Sequence, residues 1–135
     1  MLSITNFDGT QEHNVVTDQD GRIEIDLLWT NPKQNAAFPS QNISVPNIRQ
    51  YSFYLIMYKY IASESITFSQ IAVVGEGSYL PITETNAYGA RYISFVSQES
   101  INVSPPGVVK SDGSYIADAN YIIPKYIYGI KGVKK

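Results

Sequence analysis

The sequence contains no cysteine and a single histidine, His13. Thiol nucleophiles, thiolate zinc sites and disulfide scaffolds are therefore excluded, as is any metal centre built from several histidines. A triad on a Ser or Thr nucleophile would have to use His13 as its base. That residue stands among Gln11, Glu12 and Asn14 and reads as a surface histidine. Charge is also scarce, with Asp, Glu, Lys and Arg making up 16% of the chain against about 25% in ordinary soluble domains. The formal net charge is −2, so the clustered basic face that nucleic acid demands is not expected. No apolar run approaches the roughly 20 residues needed to cross a bilayer as a helix. Met1-Leu2-Ser3-Ile4 gives way at once to Thr5, Asn6 and Asp8, so no signal peptide is expected. Lack of cysteine fits synthesis in a reducing cytosol.

What the chain does have is tyrosine: 11 of its 135 residues. A surface poor in charge and rich in tyrosine is suited to contact, as a subunit or as a binder. The length suits one domain, which at this mass buries about two-thirds of the unfolded surface and needs no staples. The few charges are unevenly placed. Asp8, Glu12, Asp18, Asp20, Glu24 and Asp26 crowd the beginning, while Lys125, Lys131, Lys134 and Lys135 crowd the end. Either the first and last strands are neighbours, or each end is simply solvated, or subunits meet head to tail.

Period-2 alternation recurs along the chain and helical periodicity does not. From Arg22 to Thr30, Ile23, Ile25, Leu27 and Trp29 fall on one side and Arg22, Glu24, Asp26 and Thr30 on the other, with Leu28 out of step. This predicts a half-buried strand with Trp29 as a core anchor, entered through Asp20-Gly21 and ended by Asn31-Pro32. Lys33 to Gln41 reads as a loop. In the run Tyr51 to Tyr60, Phe53, Leu55 and Met57 oppose Tyr54, Ile56, Tyr58 and Tyr60. A strand apolar on both faces is covered on both, by a second sheet and by something else. Further strands are expected at Ile43 to Val45, Thr67 to Val74, Tyr79 to Thr83, Arg91 to Ser97, Ile101 to Val103 and Tyr121 to Ile130. Gly75-Glu76-Gly77, Asn86 to Gly89, Pro105-Pro106-Gly107 and Ser111-Asp112-Gly113 supply turns between them. Short strands so regularly punctuated predict an all-β fold, an antiparallel β-sandwich of jelly-roll type over residues 21–135. Residues 1–20 carry weak patterning and form an N-terminal arm or edge strand.

Candidate chemistry is sparse. Asp18, Asp20, Glu24 and Asp26 are close enough in sequence to suggest a carboxylate pair, but Glu24 and Asp26 alternate with buried positions and read as solvated. Asp18-Gln19-Asp20-Gly21 lacks the rest of a calcium loop. Gly75-Glu76-Gly77 lacks the lysine and helix start of a phosphate cradle. Asn42-Ile43-Ser44 and Asn102-Val103-Ser104 match the glycosylation acceptor pattern by chance, given the abundance of Asn and Ser. No cofactor or metal site is expected. The tyrosines remain. Tyr54, Tyr58 and Tyr60 share a strand face, and Tyr126 and Tyr128 alternate near the end, making these five the candidate interface. Tyr79, Tyr88, Tyr92, Tyr115 and Tyr121 fall near turns or strand ends. Such residues are good strand formers on a half-buried surface, anchors of protein interfaces, or platforms for sugar rings.

Two segments carry a family resemblance. Leu27-Leu28-Trp29-Thr30-Asn31-Pro32 with Ala36-Ala37-Phe38 and Gln41 resembles the opening of a C-terminal module of tail or fibre proteins from bacteriophages of Firmicutes. Tyr121-Ile122-Ile123-Pro124-Lys125-Tyr126-Ile127-Tyr128-Gly129-Ile130-Lys131-Gly132 resembles its closing strand. The likeness runs from about Gly21 to Gly132, specific at its ends and generic between them. It implies a β-sandwich virion component without catalytic residues, made in the bacterial cytoplasm and carried on the particle. With no stalk-like region before the module, the expectation is a small accessory protein bound to capsid or tail, with the N-terminal arm as its docking element. Its partners would be other virion proteins and copies of itself, a trimer before other states, with a host-surface glycan as a further candidate and neither nucleic acid nor membrane. The loops Lys33 to Gln41, Gly75 to Ser78 and Thr85 to Gly89 are expected to face outward. Two rival readings stand beside this one: a receptor- or carbohydrate-binding tip, and a small cell-wall hydrolase using Glu24, Asp26, Glu64 or Glu84.

Overall fold

The computed structural model describes residues 3–5, 12–15, 24–84 and 86–134, with side chains described over 24–84 and 86–132. Asp8, Asp18 and Asp20, and the side chains of Glu12 and His13, lie outside the described residues. In chain order the strands are β1 (Ser3–Thr5), β2 (Glu12–Val15), β3 (Ile25–Thr30), β4 (Gln41–Ser44), β5 (Phe53–Ile61), β6 (Thr67–Val73) and β7 (Ser78–Glu84). They continue as β8 (Ala87–Ser97), β9 (Ser100–Val103), β10 (Gly107–Lys110), β11 (Tyr115–Ile116), β12 (Tyr121–Ile130) and β13 (Gly132–Lys134). Among the described residues the only helical turn is a 3-10 turn at Ile48–Gln50.

The strands form an antiparallel β-sandwich. One sheet has the order β3-β12-β5-β6. In the other, β8 pairs along one side with β7 and along the other with β9 and β10, beyond which lie β4 and β11. The jelly-roll likeness lies in β3-β12-β5 and in β4-β9, where the chain's early and late strands meet. β5–β6 and β7–β8 run instead as sequential hairpins. Inward-facing side chains of both sheets form one core around Ile43, Val45, Ile56, Leu80, Ile93, Ile101, Val108 and Ile127. A smaller cluster, Phe53, Val73 and Ile130 with Leu55 and Ile71, lies on the opposite side of the β5 sheet.

Alternation located most strands to within a few residues, but β3 departs from the expected pattern. Ile25 and Leu27 are exposed, while Leu28 and Trp29 turn toward the core. The register with β12 jumps from Trp29–Ile127 to Leu27–Tyr128, so Leu28 is the extra residue of a β-bulge. A bulge inserts one residue and so exchanges the faces on either side of it. Asp26 is thereby carried to the rim of the core side, where the Tyr51 hydroxyl donates to its carboxylate at 2.7 Å.

β8 begins at Ala87, four residues earlier than alternation suggests, because Gly89 is a strand residue and not part of a turn. A β-carbon on Gly89 would sit 2.0 Å from the carbonyl oxygen of Gly107, so only glycine lets β10 approach here. β10 and β11 lie beside the turn signals Pro105-Pro106-Gly107 and Ser111-Asp112-Gly113, where the sequence leads one to expect connections and not strands.

The two segments that carry the family resemblance are joined in space. The Asn31 backbone N–H donates to the Lys125 carbonyl and its side-chain amide to the Pro124 carbonyl, both at 2.8 Å. Pro124 stands in the middle of a central strand with no N–H to give. The register with β5 shifts beside it, and buried Asn31 satisfies the carbonyls that the irregularity strands.

The acidic beginning and basic end also meet. Lys131 pairs with Glu24 at 3.6 Å, and its N–H donates to the Glu24 carbonyl. β13 pairs with β2, which pairs with β1, so the N-terminal strands join the C-terminal one in a small third sheet.

Candidate functional site

Of the five tyrosines expected at an interface, two, Tyr54 and Tyr58, belong to the core instead. Tyr54 and Tyr58 are each 1% exposed. They occupy the inward face of β5, where the opposite sheet covers them, and their hydroxyls reach out to the rim. Tyr54 donates to the Glu76 carbonyl at 2.8 Å and Tyr58 to the Pro81 carbonyl. Tyr54 meets Phe95 edge-on at 5.5 Å, and Tyr58 stacks on Phe68 at 5.7 Å. Burial pushes the Tyr54 hydroxyl far above its usual range and that of Tyr58 to about 12. Tyr60 is half-buried against Tyr121, and Trp29 packs its partly buried ring edge-on to Phe38.

Tyr126 and Tyr128 lie on the outer face of the β3-β12-β5-β6 sheet, with ring centroids 6.1 Å apart. The ladder places Leu27 beside Tyr128, Tyr128 beside Leu55, and Leu55 beside Ile71; Met57 lies next to Tyr126. Leu27 is 53% exposed and Ile25 44%, and the others are half-buried. The bulge at Leu28 creates this apolar band by turning Ile25 and Leu27 outward.

A second surface lies on the outer face of the opposite sheet. Tyr79, Tyr88, Tyr92 and Tyr115 are exposed there by 60%, 60%, 42% and 70%. Tyr79 lies directly across the ladder from Tyr92, with ring centroids 5.0 Å apart and planes inclined at 54°. Tyr88 follows on the same face of β8, and the Tyr115 ring leans over Gly107. The sequence places these four near turns or strand ends. The usable signal was the alternation Tyr79-Pro81-Thr83 against Tyr88-Ala90-Tyr92, outward on both strands of one hairpin.

Beside the Tyr79–Tyr92 pair, where β6 and β7 leave the sandwich open, lies a cleft of about 530 Å³. Gln70, Ile71, Glu76, Ser78, Tyr79 and Tyr92 are among its lining residues. Gly77 makes it possible, since a β-carbon there would lie 2.3 Å from the Tyr92 hydroxyl. The turn before it contains Gly75 at a φ of +95°, a conformation open to glycine. Of the three loops expected to face outward, Gly75 to Ser78 borders this cleft.

The first of those loops is held down. Lys33 to Gln41 is exposed as expected at Lys33, Asn35, Ala36, Ala37, Pro39, Ser40 and Gln41, and Phe38 alone within it is buried. Two buried cations grip the loop. Lys59 donates to the Gln34 carbonyl, the Asn35 side chain and the Ala62 carbonyl at 3.1, 2.6 and 2.9 Å. Arg91, wholly buried, donates through Nη2 to the Phe38 carbonyl at 2.6 Å and lies 5.5 Å over the Phe38 ring. Its Nε and Nη1 have no partner among the described residues, and burial lowers its pKa to about 10. Of the third loop, Thr85 lies outside the described residues and Ala87 to Gly89 belong to β8.

The candidate carboxylates do not converge. Asp26 is bound to Tyr51 and Glu24 to Lys131, while Glu64 sits in the β5–β6 connection and Glu84 ends β7. Among the described residues no group of three or more His, Asp or Glu could hold a metal ion. Comparison of the chain with protein families, curated proteins and solved structures finds no match.

Proposed function

We propose that the chain is a non-enzymatic structural protein of a bacteriophage virion, displayed on the particle surface and acting through protein–protein contacts. The observation that carries the contact role is the outward apolar band of Ile25, Leu27, Tyr126, Tyr128, Leu55 and Ile71 on a sheet whose other face already forms the core. A monomer in water leaves such a band at a cost in free energy, and covering it with a subunit or a virion protein recovers that cost. The phage assignment rests on the resemblance of the two end segments. The two segments are joined in space through Asn31. Mass spectrometry of purified particles is expected to find the protein at high copy number. Its presence in infected-cell lysate with absence from particles would overturn the reading.

A second reading, a receptor- or carbohydrate-binding tip, is favoured by a separate observation. The four exposed tyrosines lie on the face opposite the apolar band, so a particle could hold one face and offer the other. Binding of the isolated protein to host envelopes tests it, and no binding would remove it.

A further inference from the structure

We infer that the outer face of the β7–β8 sheet, where the four exposed tyrosines stand, is the interface of a two-fold dimer of this chain. The inference goes beyond the virion reading and does not rest on it. It gives the tyrosines an occupant other than a host glycan, namely a second copy. Relief, self-complementarity and area select that occupant.

The ladder arranges the outward side chains in rows that run across the strands. Tyr88 on β8 and Tyr115 on β11 flank Val109 and form one raised row. Two residues further along β8 stands Ala90, with Pro81 and Gly107 at its sides, and the row is low. Tyr79 and Tyr92 raise the next row. Beyond them the surface falls again to Ser94, Asn102 and Asn42. High and low rows thus alternate at the spacing of two strand residues, about 6.6 Å.

A relief of this kind fits itself. A two-fold axis lying along the rows, above the line between Ala90 and Tyr92, carries every raised row onto a low one. Tyr79 and Tyr92 of one copy then meet Pro81 and Ala90 of the other, while Tyr88 and Tyr115 meet Ser94 and Asn42. Each contact is repeated on the far side of the axis, as an isologous interface requires. The same axis keeps the strands of the two copies nearly in line, the alignment in which twisted sheets stack face to face. None of the residues in these four rows is charged, so laying the face upon itself brings no like charges together.

The area is sufficient. A tyrosine side chain carries roughly 150–250 Å² of surface, and these four are exposed by between 42% and 70%, so they offer on the order of 500 Å² per copy. With the low rows facing them, two copies bury about 1,200 Å², the lower end for specific interfaces. A sugar ring would cover one or two of the rings, whereas a second copy covers all four. Aromatic, charge-free surface is also what the centre of an interface is made of.

Sedimentation equilibrium of the full chain, from micromolar to millimolar concentration, tests the inference. It is run on the parent and on Leu27→Asp, which removes any contact through the apolar band, with Tyr79→Ala, Tyr92→Ala or Ala90→Glu added to each. All of these positions lie on outer faces, and unchanged thermal melting at low concentration checks that each variant folds. Leu27→Asp is expected to be a dimer with a dissociation constant of about micromolar order. Either tyrosine variant should weaken it about tenfold or more. Ala90→Glu should abolish it, because it sets a carboxylate against the Tyr92 ring of the other copy. A dimer lost in Leu27→Asp but indifferent to the other three would overturn the inference and move the contact to the apolar band. A trimer would overturn the two-fold arrangement. A folded monomer at every concentration would overturn the inference outright, and tyrosine-dependent retention of glycans on an array would then assign the face to the tip reading. Presence of the protein in purified particles is decided separately, so failure here leaves the virion reading standing.

Discussion

Arg91 is the least compensated side chain in the described structure. It is fully buried and, among the described residues, its one hydrogen bond is to the Phe38 carbonyl, with no ion pair. A buried charge left without an ionic partner is costly, and an apolar side chain of similar length removes the cost. Arg91→Met is expected to raise stability in urea by about 1–3 kcal/mol, even after loss of the bond to Phe38. A fall in stability would mean that holding the Phe38 loop outweighs desolvation. The buried tyrosines respond to pH in a definite direction. The Tyr58 hydroxyl stays protonated in the fold up to about 12, whereas in the unfolded chain tyrosine ionises near 10. The unfolded state therefore loses its proton first. The stabilisation is whole below pH 10 and is lost as pH rises toward 12. Arg91, lowered to about 10, acts in the opposite sense over the same window and offsets part of the loss. Unfolding free energies measured from pH 9 upward should decline, and Tyr58→Phe should flatten the decline. An identical slope in the variant would show that Tyr58 is not among its causes.

At the scale of elements, two irregularities shape the surface and neither is visible as a break in hydrophobicity. The bulge at Leu28 turns Ile25 and Leu27 outward, which reverses the face that alternation assigns to them. Gly89 lets β10 lie against β8. Gly89→Ala would bring a methyl group into the Gly107 carbonyl, and is expected to destabilise the protein by about 1–3 kcal/mol. Because β7 lies on the other side of β8, amide exchange should accelerate in Gly107–Lys110 while Ser78–Glu84 stays protected. Uniform loss of protection would instead indicate that the sandwich opens as one unit. The strands themselves were legible because β5, β8 and β12 are long enough for period-2 patterning to register. The bulge was not, because one inserted residue in six looks the same as a single apolar exception to the alternation, which is how Leu28 stands in the sequence.

At the scale of the whole molecule, the sandwich has two outer faces of different character. One is a band of aliphatic side chains with Tyr126 and Tyr128; the other is a field of exposed tyrosines next to a cleft. If the first joins copies of the chain, Leu27→Asp should convert an oligomer into a monomer in light scattering. Its melting temperature should hardly change at low protein concentration, since an exposed side chain contributes little to the monomer's own stability. An oligomer that persists in the variant would place the subunit contact elsewhere.

Local pattern and composition alone determined the all-β class, the positions of most strands and the abundance of tyrosine. Those properties follow from alternation, turn residues and composition, which act within a few residues of each other. Which tyrosines are covered was decided only by the tertiary structure. Tyr54 and Tyr79 stand at similar places in alternating strands, yet one is 1% exposed and the other 60%. The difference is which side of its sheet the partner sheet occupies. That depends on pairings such as β3 with β12, some hundred residues apart, and on a bulge whose effect exists only once those strands are aligned.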